Sequence, residues 1–431
     1  MAPIQISSDR PRYWEYDGEL TLLLGGSSED NLFQVADVEA ELDRLVDVGG
    51  NYVRCTMSSR EDFALWPFEE VGDGVYDLES WNQEYWARFE RFLEATRDRD
   101  IIVQIEVWAQ FDFYLNDSVD EASWRANPFN PANNRNYRSD DAELLRHRPS
   151  NNPSYADNSF FWSVPELGDH TEVLEYQQQY VDKLLSYTLD YPHILYCIDN
   201  ETHTDHRWGT YWADYLRQHA HRQGRTVELT QMYWMPNVRH PKQSFVSDHP
   251  ETYTYWDISQ SLGDARTAYR LLDPPRPLTS VKVYGSDNDD SPDWAVGAEV
   301  AIDRFWQAIF SGVAATRFHR PPTGLGLSDK AAHQIEAARN VTEEFDLFAC
   351  EPDVDSVSDT TLDTVYPLVD PGSEYAVYFP AGGSATIEVN GVDSCRWYDI
   401  SKKAVTETDS VDGPTAELRT PGDNRWVALL E

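Results

Sequence analysis

The chain has 431 residues, which suits one large domain plus a small second module. Hydrophobic residues make up 41% of it, enough for a sizeable core, and 75 Asp and Glu against 35 Lys and Arg give a net charge of −40. That balance argues against binding nucleic acid or an anionic membrane. It also disfavours an acidic polysaccharide unless arginines converge locally in the site.

Only six of the 35 cations are lysines: Lys183, Lys242, Lys282, Lys330, Lys402 and Lys403. The acidic residues are spread along the chain and form no tail. A dispersed acidic surface with Arg favoured over Lys is the texture of a halophile's protein, kept in solution where concentrated salt screens self-repulsion within a few Å. No apolar run reaches about 18 residues, so no transmembrane helix is expected. Residues 1–10 lack a charged region followed by an apolar one, which points to a cytoplasmic protein. The cysteines, Cys55, Cys197, Cys350 and Cys395, form no CxxC pair, so neither a zinc ribbon nor a redox motif is suggested. Cys55 and Cys197 fall in strand patterns, where a buried thiol is the default.

In chain order, residues 20–24 read as a first strand, ending in Gly25-Gly26-Ser27-Ser28. A helix pattern follows over 35–42, with Gly49-Gly50 as its stop. Residues 52–57 are a second strand, 81–96 a strongly amphipathic helix and 101–107 a third strand. Residues 112–168, rich in Asn, Pro and Asp, form a long insertion; that length without periodicity marks a functional or mobile segment. A helix over 172–188 leads into a fourth strand at 194–199. A helix over 207–223 precedes strand five at 227–232, and strand six is 253–257. Strand seven, 278–284, ends at Gly285. A helix over 294–310, strand eight at 313–318 and a helix over 331–345 complete the series. Eight strand–helix units describe an α/β fold, a (β/α)8 TIM barrel, over residues 1–346. A doubly wound sheet is the alternative, but no Gly-rich phosphate loop follows the first strand. From about Leu347 the texture changes to short alternating strands separated by Gly, Asp and Pro. Residues 347–431 therefore read as a small C-terminal β-sandwich, expected to pack against the barrel, with sugar binding as its other reading.

The fourth strand ends in Asp199-Asn200-Glu201. A barrel enzyme keeps its site at the C-terminal ends of its strands. A strand that delivers an Asn-Glu pair there fits a glycosidase. The Glu would protonate a leaving sugar oxygen, and the Asn would hold a neighbouring hydroxyl. The other polar strand-end residues are Ser27, Arg54, Glu106, Trp108, Gln231, Asp257, Lys282, Tyr284, Asp287, Arg317, His319 and Arg320. Many of these are costly to bury without partners, so the set predicts a polar pocket, although each alone reads equally well as an ion pair or a surface group. With 15 Trp and 24 Tyr, the chain has material both for sugar-stacking surfaces and for an aromatic core. His203 and His206 invite a metal reading, and so does the acidic loop 286–290. The histidines lack the helical His-Glu-x-x-His spacing, and Asp205 reads more simply as a helix N-cap. No metal and no cofactor are expected.

The chain resembles the apiosidase-like glycoside hydrolases, barrel proteins often labelled as collagenases with a collagen-binding C-terminal domain. The likeness is carried by Tyr13-Trp14-Glu15-Tyr16-Asp17-Gly18, the Asp199-Asn200-Glu201 strand end, residues 312–322, and Gly422-Asp423-Asn424-Arg425-Trp426-Val427. It spans nearly the whole chain. The collagen-binding label is inherited and is not carried over. The resemblance implies a relative of the large clan of retaining barrel glycosidases, with Glu201 as acid/base and Asn200 as a substrate-hydroxyl ligand. That clan has its nucleophilic Glu near the end of strand seven. Here strand seven reads Thr279-Ser280-Val281-Lys282-Val283-Tyr284-Gly285, with no carboxylate.

The second carboxyl is therefore sought at Glu106, Asp257 or Asp287, with Glu106 and Asp287 preferred. Retaining enzymes need two carboxyls about 5–5.5 Å apart, inverting ones about 6.5–9.5 Å. Arg54, Asn200, Trp108, Asp257, Lys282, Tyr284, Arg317 and His319 are expected to bind substrate, with Trp108, Tyr233, Trp234 and Tyr284 stacking on sugar rings. Lys282 could pair with Glu201 or, with Arg317 and Arg320, bind a substrate carboxylate. The first reading is a glycoside hydrolase acting on a plant- or microbe-derived glycan. One alternative is a carbohydrate-binding protein on a degenerate barrel; another is a polysaccharide lyase using Lys282 and Tyr284 as base and acid. The expected partner is carbohydrate, and the oligomeric state stays open.

Overall fold

The computed structural model describes residues 2–114, 124–138, 158–292, 294–370 and 374–431. Eight barrel strands are present: β1 (Leu23–Gly26), β2 (Tyr52–Thr56), β3 (Ile102–Ala109), β4 (Ile194–Asn200), β5 (Leu229–Thr230), β6 (Trp256–Asp257), β7 (Leu278–Val283) and β8 (Ala315–Phe318). They form one sheet in the order β5-β4-β3-β2-β1-β8-β7-β6. Among the described residues one α-helix follows each in turn: α1 (Val38–Asp47), α2 (Gln83–Arg97), α3 (Thr171–Thr188), α4 (His206–Arg222), α5 (Pro241–Asp248), α6 (Ala265–Leu271), α7 (Ala298–Ile309) and α8 (Asp329–Thr342). This is a (β/α)8 barrel. Every residue of β2, β3, β4, β7 and β8 is buried. Strands covered on both faces are rich in apolar residues, and here Arg54, Gln104, Glu106, Lys282 and Arg317 interrupt the runs.

The differences are local. Glu19–Thr21 pairs with Trp14–Tyr16 in a small antiparallel sheet, so β1 begins at Leu23 and runs on through both glycines. Neither position has room for a side chain: a Cβ on Gly25 would lie 1.8 Å from the Tyr52 carbonyl oxygen, and one on Gly26 2.3 Å from that of Gly326. Strands β5 and β6 are only two residues long; they stand at the two ends of the strand order. Helices α5 and α6 and a hairpin, Phe68–Gly72 with Val75–Trp81, carry no periodic signal strong enough to predict them. The hairpin turns on Asp73-Gly74, both at positive φ, a dipeptide suited to that turn. Of the insertion 112–168, residues 115–123 and 139–157 lie outside the described residues. Its part 124–138 is stitched by asparagines: Asn127, Asn130 and Asn134 each accept a backbone N–H two residues on.

The chain divides into two compact units. The first comprises Met1–Gln5, Glu29–Asp43 and Val53–Gln260, and so holds β3 to β6 and α2 to α5. The second comprises Ile6–Ser28, Arg44–Tyr52 and Ser261–Glu431, with β1, β7, β8, α6 to α8 and nine further strands: β9 (Glu351–Pro352), β10 (Val357–Thr360), β11 (Tyr366–Asp370), β12 (Glu374–Phe379), β13 (Ser384–Glu388), β14 (Ser394–Asp399), β15 (Ala404–Ser410), β16 (Thr415–Arg419) and β17 (Trp426–Leu430). These make a six-stranded sheet, β9-β11-β12-β17-β14-β15, and a three-stranded one, β10-β13-β16. They enclose an apolar core that includes Val377, Phe379, Ile387, Trp397 and Leu418. This β-sandwich docks on the last two barrel helices. Glu299, Asp303 and Trp306 share one face of α7. Arg425 binds Glu299 at 2.8 Å and Asp303 at 2.6 Å, the Tyr378 hydroxyl donates to Asp303 at 3.1 Å, and Tyr378 stacks on Trp306 with ring centroids 5.7 Å apart. On α8, His333 meets the Ile400 carbonyl at 2.9 Å. No described helix is long and apolar enough to cross a membrane.

Candidate active site

In the first unit, β4 carries Asp199 and Asn200 to its end, both buried, and the chain then turns sharply at Glu201. Glu201 has a left-handed backbone, φ 56°, a conformation that a residue with a Cβ adopts at a cost of roughly 1 kcal/mol. The turn is fastened on all sides. The Thr202 amide donates to the Met232 carbonyl at 2.7 Å, and the Trp234 amide donates to the Thr202 carbonyl at 3.2 Å. The His203 amide donates to the Gln110 side chain, and the Lys242 ammonium donates to the His203 carbonyl. Asp205 caps α4 by accepting the Arg207 amide at 3.0 Å, as its sequence position suggests. The outcome is a half-buried Glu201 carboxyl whose Oε1 accepts Gln260 Nε2 at 3.0 Å.

Behind this turn lies a buried network of charge. Glu106, fully buried on β3, accepts Arg54 Nη2 at 2.8 Å; Arg54 also lies 3.5 Å from Asp30, which Arg60 meets at 3.5 Å. Asp257 on β6 accepts the Gln104 amide at 3.0 Å and the Ser259 N–H at 2.8 Å. Asp199 is fully buried, with the Thr202 hydroxyl and the backbone of Gln110 and Asn200 beside its carboxyl. Burial raises its pKa to about 8; the Thr202 hydroxyl pulls it back only in part, and the Glu106 charge pushes it further up. Asp112 is likewise raised by burial, with the Asp199 charge adding to the rise. Trp108 is 3% exposed and caged by Phe113, Phe129, Phe160, Tyr180, Trp208 and Trp212. Tyr233 is fully buried, whereas its neighbour Trp234 is 50% exposed.

The second unit holds the remaining predicted residues. Lys282 is buried on β7. Tyr284 packs against His319, ring centroids 4.7 Å apart, and against Trp294, which is 65% exposed. Arg317 is fully buried on β8 and donates to the Val281 carbonyl at 2.9 Å and to the Ser27 hydroxyl. Arg320 donates to the Pro321 carbonyl at 2.9 Å. Asp287 is exposed. Its carboxylate meets Lys330 at 2.7 Å and accepts the Ala298 amide at 2.9 Å at the start of α7, and both contacts lower its pKa.

Gln260, the partner of Glu201, was not legible in the sequence; its signal was its place three residues after Asp257 in the loop leaving β6. Nor was the pairing of Trp234 with His203, ring centroids 5.2 Å apart. Among the described residues, no group of three or more His, Cys, Asp or Glu side chains is arranged to hold a metal ion. His206 instead packs on Phe245, with centroids 4.4 Å apart.

Fold and strand-end chemistry together define a (β/α)8 barrel of the architecture found in glycoside hydrolases. The sequence matches no family model and no curated protein. Solved structures do match. A family 5 glycoside hydrolase from Bacteroides vulgatus superposes with a TM-score of 0.65 at 12% identity, over 99% of this chain and 92% of that one. An endo-1,4-beta-mannanase from Rhizomucor miehei gives 0.54 at 12% identity, over 81% and 99%. A family 5 mannosidase from the same organism gives 0.52 at 10%, over 80% and 99%. At these identities the likeness is one of fold.

Proposed function

We propose that the protein is a glycoside hydrolase, a member of the apiosidase-like group, acting on a plant- or microbe-derived glycan. In this reading residues 1–346 form the hydrolase and 347–431 a supporting module. The observation that carries it is Glu201: a carboxyl held by Gln260 on a strained, fastened turn directly after a buried Asn, at the end of the fourth strand. Glu201 is the general acid that protonates the departing oxygen, and Asn200 holds a ring hydroxyl beside the bond that breaks. Glu106 is the second carboxylate. The Arg54 guanidinium 2.8 Å away is the counter-charge beside the carboxylate that attacks the anomeric carbon or activates water. Asp287, tied to Lys330 and to the first turn of α7, keeps a structural role.

A second reading, sugar binding without turnover, is favoured by one observation: Glu106 and Asp257 are both fully buried and already engaged by side chains of the fold. A panel of aryl β-glycosides separates the two. Glu201→Gln should abolish hydrolysis and Glu106→Gln should cut it by about a thousandfold or more. Full activity in Glu201→Gln would remove the hydrolase assignment, and glycan binding with no turnover in the wild type would install the second reading.

A further inference from the structure

We infer that Trp234 and His203 form a stacking platform for the sugar ring on the leaving-group side of the bond that Glu201 protonates. The inference rests on the hydrolase reading above and adds to it a binding surface for one specific part of the substrate.

Large aromatic side chains of this protein are mostly buried, and Trp234 is an exception, half open to solvent. Its position is not that of a loose surface side chain. The Trp234 amide donates to the Thr202 carbonyl at 3.2 Å, and Thr202 bridges Tyr233 in parallel strand register. The Trp234 backbone is thus fixed to the residue directly after Glu201. Its ring leans on the His203 imidazole at 5.2 Å and 44°. His203 is in turn fixed at both backbone ends, its amide on Gln110 and its carbonyl on Lys242. Burial and then the Lys242 charge lower the His203 pKa, so the imidazole is neutral at pH 7 and adds no cation to the face. His203 lies two residues after Glu201 on the same turn, so the platform and the acid are neighbours.

What the platform binds follows from the direction of the reaction. Displacement at an anomeric carbon sets the attacking group on one side and the departing oxygen, with the acid that protonates it, on the other. A flat aromatic surface built on the acid's own turn therefore stands beside the departing sugar. An indole offers a broad apolar face and a pre-ordered ring, suited to the C–H face of a pyranose. The class of ligand is a neutral glycan of at least two sugars.

The test uses the full chain carrying Glu201→Gln, so that ligand is not consumed. It is titrated calorimetrically with β-1,4-linked mannotetraose, cellotetraose and xylotetraose. Adding Trp234→Ala should weaken the best Kd by about tenfold or more, and Trp234→Tyr, which keeps a ring, by much less. In the otherwise wild-type chain, Trp234→Ala should lower kcat/KM for that tetraose about tenfold more than for the matching glycosyl fluoride, whose leaving group has no ring. Unchanged affinity in Trp234→Ala at an unchanged thermal midpoint, or no binding of any of the three tetraoses, would overturn the platform. Equal losses on tetraose and fluoride would overturn its leaving-group side. Trp234-dependent binding with no cleavage by the wild type would leave the platform standing and remove the hydrolase reading.

Discussion

Asp199→Asn should make the protein more stable, and increasingly so as pH rises. The buried Asp199 carboxyl has a pKa of about 8 against an ordinary 3.8, first because burial penalises its charge. Between those two values the folded state keeps a proton that the unfolded chain has already lost. Stability therefore falls as pH climbs from about 4 towards 8, by about 1.4 kcal/mol per unit. The cost is roughly 1.5 kcal/mol at pH 5 and roughly 5 kcal/mol at pH 8. Asn keeps the shape without the titration, so its advantage over the wild type should grow by about 3–4 kcal/mol between pH 5 and pH 8. Urea unfolding of both proteins at constant ionic strength, followed by tryptophan fluorescence, measures it. A difference that stays flat within about 1 kcal/mol over that range would refute the reasoning and mean that Asp199 is ionised in the folded protein.

The Arg54–Glu106 pair gives the opposite sign in a neighbouring place. Arg54→Met removes the guanidinium 2.8 Å from a fully buried carboxylate and 3.5 Å from Asp30, so it should cost about 3–5 kcal/mol at pH 8. Unfolding midpoints of the two proteins in urea at pH 8 check this, and a loss below about 1 kcal/mol would contradict it. The net charge of −40 predicts salt-dependent folding. Raising KCl from 0.1 to 2 M shortens the Debye length from about 10 Å to less than 3 Å. The thermal midpoint should rise by about 10 °C or more, and a midpoint that is flat or falls would count against a halophilic surface.

The parts of this protein legible in the sequence were those whose signal is local. β3 and β4 are rich in apolar residues because both their faces are covered, with Gln104 and Glu106 interrupting β3, and the abrupt change to Asp199-Asn200-Glu201 marks a strand end without reference to any neighbour. Asp205 announces α4 by its capping chemistry alone. β5 and β6, two residues each, leave too short a period to bound. The cage around Trp108 was out of reach for another reason: its six rings come from residues 113, 129, 160, 180, 208 and 212, scattered across an insertion and two helices. A strand-end tryptophan looks the same in sequence whether its face meets a sugar or Phe160. The same holds for charge. The left-handed turn at Glu201 is held by contacts with Met232 and Trp234, and the raised Asp199 pKa comes first from burial and then from the Glu106 charge, none of which the motif itself names.

The pairing of β1 with β8 also sets a timetable. Leu23 and Leu24 align with Ala315 and Thr316, and the Leu22 carbonyl is covered by Arg339 at 2.7 Å. At translation speeds of about 5–20 residues per second, β1 leaves the ribosome roughly 15–60 s before its partner exists. For that interval β1 presents an open, apolar edge, the kind of surface that recruits chaperones or strays into other chains. Substitutions in β1 should therefore show first in the yield of folded protein from the cell, before they show in the stability of the finished molecule.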